Sequence, residues 1–183
     1  EAERAARKGI ELNPGNYLTH FALGRVLMQQ GDIAGSIAAL KRAAELNPSS
    51  AMVLNGLGQS YIYGDETEAL METVERVRVI DPLPGTLSLW VRAWAQWQTG
   101  DCAAARDSVQ AMTSVPLEAN KLRAVIEVCL GDMDAAAADV AAYLDHNPDW
   151  TLRREIEANA GNWVADGPRD RWLAALSEAG LPD

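Results

Sequence analysis

The chain has 183 residues, is 48% apolar and 23% charged, and is long enough for one domain with a sizeable core. Its formal net charge is -10, and it contains lysine only as Lys8, Lys41 and Lys121, which argues against binding of nucleic acid or an anionic membrane surface. No run of eighteen apolar residues predicts a membrane span, and the predominance of alanine and leucine favours helices.

Two markers recur in phase about every 34 residues and divide the chain into similar units. Proline fits only in the first turn of a helix or between helices, whereas glycine ends helices and Asp or Asn caps them. Each unit is therefore predicted to be two helices joined at a Gly-Asp pair. The Asn or Asp before most prolines is expected to cap the next helix. The prolines are Pro14, Pro48, Pro82, Pro116 and Pro148, and the pairs are Gly31-Asp32, Gly64-Asp65, Gly100-Asp101 and Gly131-Asp132.

The first segment, residues 1–14, is predicted to be a single helix that corresponds to the second half of a unit. Its apolar positions are Ala2, Ala5, Ala6 and Ile10, and we expect them to form an exposed face that needs cover. Further helices are therefore expected before Glu1, and the chain is interpreted as a piece of a longer protein.

The first complete unit, residues 15–48, contains the sequence YLTHFALGRVLMQQGDIAGSIAALKRAAELNP. Its apolar residues recur at three- and four-residue steps, which is typical of helices with one buried face. The unit resembles the tetratricopeptide repeat (TPR), a helix–turn–helix motif of 34 residues. Ser36 stands where that family prefers alanine. The resemblance rests on Leu23, Gly24, Gly31, Leu40, Ala43 and Pro48.

Three more units follow, at residues 49–82, 83–116 and 117–148, and the last two are located mainly by their Gly-Asp pairs and prolines. Residues 149–183 are predicted to cap the repeats with two helices, Asp149 to Ala160 and Pro168 to Ala179. The resemblance therefore implies an all-α fold, a right-handed α-solenoid of antiparallel helix pairs with about eleven helices.

The last residues, RWLAALSEAGLPD, resemble the tail of the TPR regions in bacterial class III adenylate or guanylate cyclases and in some winged-helix regulators. Ser177 and Glu178 replace a basic pair of those tails. The resemblance implies a non-catalytic, cytoplasmic, C-terminal part of a larger bacterial signalling protein. The match consists of Leu176, Ala179, Gly180, Leu181 and Pro182.

Residues with catalytic or metal-binding potential are few and scattered. His20 and His146 fall in separate repeats, and we recognise no nucleophile motif or phosphate-binding loop, so no catalytic residue, metal or cofactor is predicted. Cys102 and Cys129 are interpreted first as two small buried apolar residues, with a disulfide between neighbouring helices as the alternative.

The six tryptophans have two interpretations, as core residues or as an aromatic binding patch. Trp90, Trp94 and Trp97 recur on one helix face, and the core interpretation is favoured for the first two. For Trp97 and Trp163 both interpretations stay open.

The TPR resemblance implies that a partner binds the concave face formed by the first helix of each pair. Many of these positions are apolar or carry amides, which favours an apolar or amphipathic protein segment. Leu18 and Ile62 could instead pack on a neighbouring unit. The leading hypothesis is a non-catalytic protein-interaction module, and the alternatives are a dimerisation arm and a small-molecule sensing groove. The predicted partner-binding residues are Phe21, Arg25, Met28, Gln29, Met52, Asn55, Gln59, Tyr63 and Trp97.

Overall fold

The computed structural model describes residues 1–159 and 161–183, and in these it contains eleven α-helices and no strand. The predicted all-α class and the helix count are confirmed. Helices α2 to α9 form four successive pairs, and each helix packs on its partner in the pair. The helices are α1 (Ala2–Leu12), α2 (Tyr17–Gln29), α3 (Ile33–Leu46), α4 (Ala51–Tyr63), α5 (Thr67–Ile80), α6 (Thr86–Gln98), α7 (Cys102–Gln110), α8 (Ala119–Leu130), α9 (Met133–Leu144), α10 (Leu152–Asn159) and α11 (Asp166–Glu178).

The turn inside three of the four pairs is built as the Gly-Asp marker predicts. Gly31, Gly100 and Gly131 adopt left-handed backbone conformations, with φ of 80°, 83° and 77°, where a side chain would be strained. The Asp that follows each glycine accepts a hydrogen bond from a backbone N–H in the first turn of α3, α7 or α9. Glycine therefore ends one helix and Asp starts the next.

The turn of the second pair is shifted by one residue. Gly64 has φ of -87°, and Asp65 instead takes the left-handed position with φ of 58°. Glu66 then precedes α5 and makes no capping hydrogen bond through its side chain. The Gly-Asp pair comes one residue too early relative to the helix ends, so neither residue performs the role that it has in the other turns.

The expected capping by the residue before proline is wrong. Asn13, Asn47 and Asp81 have φ between -147° and -131° and ψ between 82° and 88°, and they end the helix that precedes the proline. The ring of a following proline disfavours helical backbone at these positions, which explains their extended conformation. After Asn13 and Asn47 the caps lie three residues later, where Asn16 accepts from the Leu18 N–H and Ser50 accepts from the Val53 N–H.

The helices group into two compact units, and the first contains residues 1–84 together with residues 161–164. Its α2 and α3 approach closely at Gly24, where an added Cβ would lie 2.5 Å from Leu40 Cγ. The Ser36 hydroxyl donates to the Gly24 carbonyl at 2.7 Å and lies 2.8 Å from the Ser60 hydroxyl. These buried hydrogen bonds join α2, α3 and α4, and they satisfy polar atoms that lie within the apolar core.

Helix α1 differs from the expectation of a wholly exposed apolar face. Ala6 is buried and Ile10 packs beside it against Leu23 and Leu27 of α2. Ala2 and Ala5 are exposed. Only the middle part of the apolar stripe of α1, Ala6 and Ile10, therefore packs on α2. The two helices are neighbours in the way that the last helix of one repeat and the first helix of the next are.

The second unit contains residues 85–159 and 165–183, and large aromatic rings fill its centre. Trp94 contacts Trp90, Trp97 and Trp172, with centroid distances of 5.8, 5.5 and 4.5 Å. Cys102 and Cys129 form a disulfide between α7 and α8, and Cys129 is exposed. The favoured interpretation of two buried, unbonded cysteines is therefore wrong.

The two C-terminal helices begin at other residues than predicted. Helix α10 starts at Leu152 instead of Asp149, because the Leu152 N–H donates to the Pro182 carbonyl at 2.7 Å and Thr151 caps the helix through the Arg154 N–H. The predicted end at Ala160 lies outside the described residues. Helix α11 starts at Asp166, two residues before Pro168, which leaves the proline in the first turn that it tolerates.

A buried ion pair holds α10 to α8. Lys121 Nζ lies 2.8 Å from Glu155 Oε2, and the side chains are 8% and 3% exposed. The indole N–H groups of Trp150 and Trp172 also donate to the Glu155 carboxylate, at 3.0 and 2.9 Å. Burial opposes the charge of Lys121, but the neighbouring Glu155 and Glu118 carboxylates raise its pKa above the usual value. The Lys121 ammonium therefore keeps its charge, and the Glu155 carboxylate accepts hydrogen bonds from it and from both indoles.

Candidate partner-binding face

Eight of the nine predicted partner-binding residues lie on α2 and α4 of the first unit, the first helices of two successive pairs. Along each helix they recur at steps of one to four residues, so they follow one side of the helix. Several occupy equivalent places one repeat apart, as Phe21 and Asn55 do, or Arg25 and Gln59. We call this surface the α2–α4 face and define it by Phe21, Arg25, Met28, Gln29, Met52, Asn55, Gln59 and Tyr63.

The centre of the α2–α4 face is polar. The Arg25 guanidinium donates a hydrogen bond to the Gln59 side-chain carbonyl, which ties the two helices together across one repeat. Arg25 is half-buried, and burial lowers the pKa of its guanidinium from the usual value. Asn55 is almost fully buried beside them. The face therefore offers a held guanidinium and the Gln59 amide at its centre, whereas the burial of Asn55 speaks against the predicted contact of that residue with a partner.

Apolar side chains lie on either side of this polar centre. Phe21 is half-buried over α4, where an added Cβ on Gly56 would lie 2.9 Å from Phe21 Cε2, and the ring packs against the core cluster that contains Val53 and Leu54. Met28 is half-buried, and Met52 is 44% exposed. The face thus combines aromatic and thioether groups, which adapt to varied apolar partners, with fixed polar groups.

The Tyr63 end of the α2–α4 face is occupied by a distant part of the chain. The Trp163 ring packs against Tyr63 edge to face, with centroids 5.0 Å apart and planes at 74°. The Val164 N–H donates to the Tyr63 carbonyl at 3.0 Å. This contact brings Trp163 to the predicted face, although the sequence left its role open and gave no sign of Val164.

Three residues that the sequence left open have clear positions. Trp97 is buried in the second unit, where it contacts Trp94 and Trp172 and the Arg171 guanidinium lies 6.0 Å from its ring centroid. Ile62 is fully buried, as the packing alternative holds, whereas Leu18 is 46% exposed. A partner-binding role of Trp97 stays a prediction, separate from the α2–α4 face.

The isolated histidines have local structural contacts. His20 Nε2 lies 3.0 Å from the Pro14 carbonyl, and His146 Nδ1 lies 3.3 Å from the Ala142 carbonyl. Among residues 1–159 and 161–183, no three His, Cys, Asp or Glu side chains lie together in a way that could hold a metal ion. None of the helices in this part of the chain is both long and apolar enough to cross a membrane.

Family models of the TPR match two parts of the chain. A model described as TPR repeat matches residues 24–62, and one described as tetratricopeptide repeat matches residues 89–150. The chain contains tetratricopeptide repeats. The first match runs through most of the α2–α4 face, and the second includes the units whose markers are least regular in sequence.

Solved TPR proteins share the fold of this chain at low sequence identity. YrrB, a TPR protein with an unusual peptide-binding site, has a TM-score of 0.62 at 18% identity, and the match covers 97% of this chain and 92% of YrrB. A thermophilic TPR protein from Thermus thermophilus has a TM-score of 0.67 at 16% identity, and the match covers 87% of this chain and 88% of that protein. Identities in this range establish the fold and carry no statement about ligands.

A peroxisomal targeting signal receptor from Pichia angusta is 36% identical over 76 residues, or 42% of this TPR chain. The matched segment spans only 13% of that receptor. The resemblance to cyclase and winged-helix tails is not shown by the proteins and family models named above.

Proposed function

We propose that the α2–α4 face is the partner-binding site of a non-catalytic TPR module, and that the partner is a protein segment with apolar and hydrogen-bonding groups. The observation that carries the proposal is the hydrogen bond from Arg25 to Gln59, flanked by exposed or half-buried Phe21, Met28 and Met52. Fixed polar groups orient a bound segment, and adaptable apolar groups supply contact area.

The residues that define this face include no lysine, so recognition of a terminal carboxylate by a lysine set is not part of the proposal. The Gln59 amide and the Arg25 guanidinium instead suit backbone carbonyls of a bound segment. Asn55 is almost fully buried and is not part of this contact. YrrB is described as a TPR protein with a peptide-binding site, and binding of a peptide by this chain is consistent with that description.

We further propose that the chain is a cytoplasmic regulatory part of a larger bacterial signalling protein, of the cyclase or transcription-regulator kind. The support is the resemblance of the C-terminal tail. Leu176, Ala179 and Leu181 of this tail are buried, Gly180 has a left-handed φ of 96°, and the Leu181 N–H donates to the Leu176 carbonyl. The tail therefore closes the core of the second unit, which suits the C-terminal end of a repeat domain.

The test is peptide selection followed by binding measurements. Peptides are selected on the wild-type chain from a display library, and their affinities are measured for the variant Arg25→Glu plus Met52→Asp. We expect at least a tenfold loss, because the variant reverses the central charge and places a carboxylate on an apolar part of the face.

The matched control is Arg42→Glu plus Leu83→Asp, which makes the same changes of charge and polarity at exposed positions outside the α2–α4 face. Retained affinity in the control and loss in the face variant support the proposal. Equal affinities of the two variants contradict it, and so does a failure of selection to enrich any peptide.

A further inference from the structure

The segment Gly161–Val164 lies in the first unit as a short stretch of chain against the C-terminal ends of α2 and α4. It enters beside Gly31, where an added Cβ would lie 2.8 Å from the Gly161 carbonyl oxygen and 3.0 Å from the Gly161 carbonyl carbon. It ends at Tyr63, whose ring contacts Trp163 and whose carbonyl accepts from Val164. We call this place the Tyr63 site.

The Tyr63 site has the features of a peptide subsite. The last carbonyls of a helix have no acceptor role inside that helix, so the Tyr63 carbonyl can accept from an N–H that approaches along the α4 axis. An aromatic ring beside that carbonyl supplies an apolar contact of defined geometry. Gly31 has no side chain, so a peptide backbone can approach α2 closely.

The bound segment itself shows which chemistry fits. One aromatic side chain contacts Tyr63, and the next residue along the chain gives its backbone N–H to the Tyr63 carbonyl. Trp163 and Val164 are neighbours in sequence, so both contacts come from two consecutive residues. Val164 is 61% exposed, which indicates that its side chain contributes little and that the aromatic residue sets the preference.

We propose that the Tyr63 site recognises an extended partner segment with a tryptophan followed by a residue that donates its N–H, and that Gly161–Val164 occupies the site in its absence. This inference rests on the proposed function, since it adds a subsite at one end of the α2–α4 face. A tethered segment has a high effective concentration at the site, so a partner must displace it. The apparent affinity of the partner is the intrinsic affinity multiplied by the fraction of molecules in which the site is free.

The experiment uses the full chain and two labelled peptides. The probe is a peptide with the sequence of residues 162–167 and a fluorescent label at its C-terminus, so it has no counterpart of Gly161 to meet a methyl group at position 31. The matched peptide has alanine in place of Trp163. Binding is measured by fluorescence anisotropy to the wild type and to Gly31→Ala, whose new methyl group clashes with the Gly161 carbonyl and displaces the resident segment.

Gly100→Ala is the matched control, because Gly100 has the same left-handed backbone as Gly31 and an added Cβ there meets nothing within 4 Å. Both variants carry the same backbone strain, and only Gly31→Ala disturbs the Tyr63 site. We call Gly31→Ala an opening variant because it frees the Tyr63 site. A second opening variant, Trp163→Ala, removes the resident ring without changing a helix, so the proposal is tested even if Gly31→Ala fails to fold.

We expect the probe to bind Gly31→Ala and Trp163→Ala about fivefold or more tightly than the wild type or Gly100→Ala. The alanine peptide should bind weakly to all four chains, and adding Tyr63→Ala to either opening variant should abolish binding of the probe. Equal binding of the probe to the wild type and both opening variants overturns the proposal, as does equal binding of the two peptides.

Light scattering on the opening variants tests whether a second copy is the natural occupant. A monomer supports a separate partner, whereas a dimer that dissociates when the probe is added shows that the site takes Gly161–Val164 from another copy and overturns the proposal. If the probe experiment fails but the Arg25→Glu plus Met52→Asp variant still loses affinity for selected peptides, the proposed function stands and only the Tyr63 site is excluded. If that variant also keeps its affinity, the α2–α4 face is excluded as well.

Discussion

The two units use the same helix-pair plan but are held together by different interactions. In the first unit, small residues let helices approach closely, and neutral hydroxyl groups of Ser36 and Ser60 satisfy each other inside. In the second unit, Ala105 stands at the place of Ser36, and stability comes from a disulfide, a buried ion pair and clustered tryptophans.

This difference relates to the sequence of the repeats. The first unit keeps the regular spacing of glycine and leucine, so backbone proximity and apolar contact supply most of its packing. The second unit has Ala93 and Ala124 where the first has Gly24 and Gly58, and larger groups fill its interior. A repeat whose small-residue pattern has drifted can therefore retain its fold through specific contacts made elsewhere.

The largest expected effect breaks the buried ion pair of the second unit. Lys121→Met leaves the Glu155 carboxylate buried without its cation, and we expect the unfolding free energy of this unit to fall by about 3–5 kcal/mol. This loss is measured in urea unfolding experiments with tryptophan fluorescence as the signal, because five of the six tryptophans lie in the second unit.

The control for that change is Lys41→Met, whose ammonium group is half-exposed and lies 3.6 Å from Glu66. An exposed pair of this kind contributes less than about 1 kcal/mol, so the control should unfold almost as the wild type does. Similar losses in both variants would show that the buried pair is not what distinguishes the second unit.

Reduction of the disulfide is the next largest effect. Cys102 and Cys129 are 27 residues apart, and closing a loop of this length stabilises by about 3–4 kcal/mol in the chain-entropy model. Dithiothreitol should therefore lower the urea midpoint of the tryptophan transition. The double variant Cys102→Ser plus Cys129→Ser should unfold at the lower midpoint with or without the reductant, and a midpoint that the reductant does not move in the wild type contradicts the prediction.

A change in the first unit should give the opposite pattern. Gly24→Ala places a methyl group 2.5 Å from Leu40 Cγ, and we expect a cost of about 1–3 kcal/mol. Circular dichroism at 222 nm should show an earlier transition while tryptophan fluorescence keeps its midpoint. Gly167→Ala, where an added Cβ meets nothing within 4 Å, is the control that should not destabilise.

The shifted turn of the first unit can be corrected. Asp65→Gly together with Glu66→Asp places glycine at the left-handed position and Asp at the cap, as in the other three turns. Relief of the strain and a new capping hydrogen bond should raise stability by about 1–2 kcal/mol. Thermal unfolding measures the gain, and Asp32→Ala in the regular turn should show the corresponding loss. An unchanged melting temperature in the corrected variant would mean that the shift costs nothing.

The smallest expected effect is a pH dependence of the second unit. Burial raises the pKa of Asp139 to about 6, although the Arg123 guanidinium opposes the rise and Glu127 adds to it. Between pH 4 and 6 the folded state therefore holds a proton that the unfolded state has released, so stability falls as pH rises.

The measurement compares the wild type with Asp139→Asn, which cannot ionise. From pH 4 to 6.5 the wild type should lose on the order of 1 kcal/mol relative to the variant, in urea transitions followed by tryptophan fluorescence. Parallel pH profiles of the two proteins would contradict the assignment of this dependence to Asp139.

The helix ends at three of the four Gly-Asp turns could be predicted because their causes lie within a few residues of each other. Gly31 and Asp32 set a turn locally, and so do Gly131 and Asp132. Asn13 and Asn47 were wrongly assigned as caps because two local preferences apply to them. Asn is a good cap residue, but a residue before proline favours an extended backbone. The structure shows that proline decides the backbone at these positions.

Contacts between distant residues could not be predicted in the same way. The packing of Gly161 on Gly31 and of Trp163 on Tyr63 joins residues about 100 or more positions apart, and no periodic pattern connects them. The ion pair of Lys121 with Glu155 joins a repeat to a segment where the period has stopped. The residues of the α2–α4 face were predicted from the TPR resemblance and their partner-binding role stays a prediction, whereas no signal in the sequence indicated the occupant of the Tyr63 end.

The disulfide also affects how the chain responds to a pulling force. When the two ends are drawn apart, the residues between Cys102 and Cys129 are bypassed by the sulfur–sulfur bond and add nothing to the extension. A stretched chain spans about 3.5 Å per residue, so oxidation withholds on the order of 90 Å of contour length. In a single-molecule stretching experiment the redox state of one bond would thus appear directly as a length.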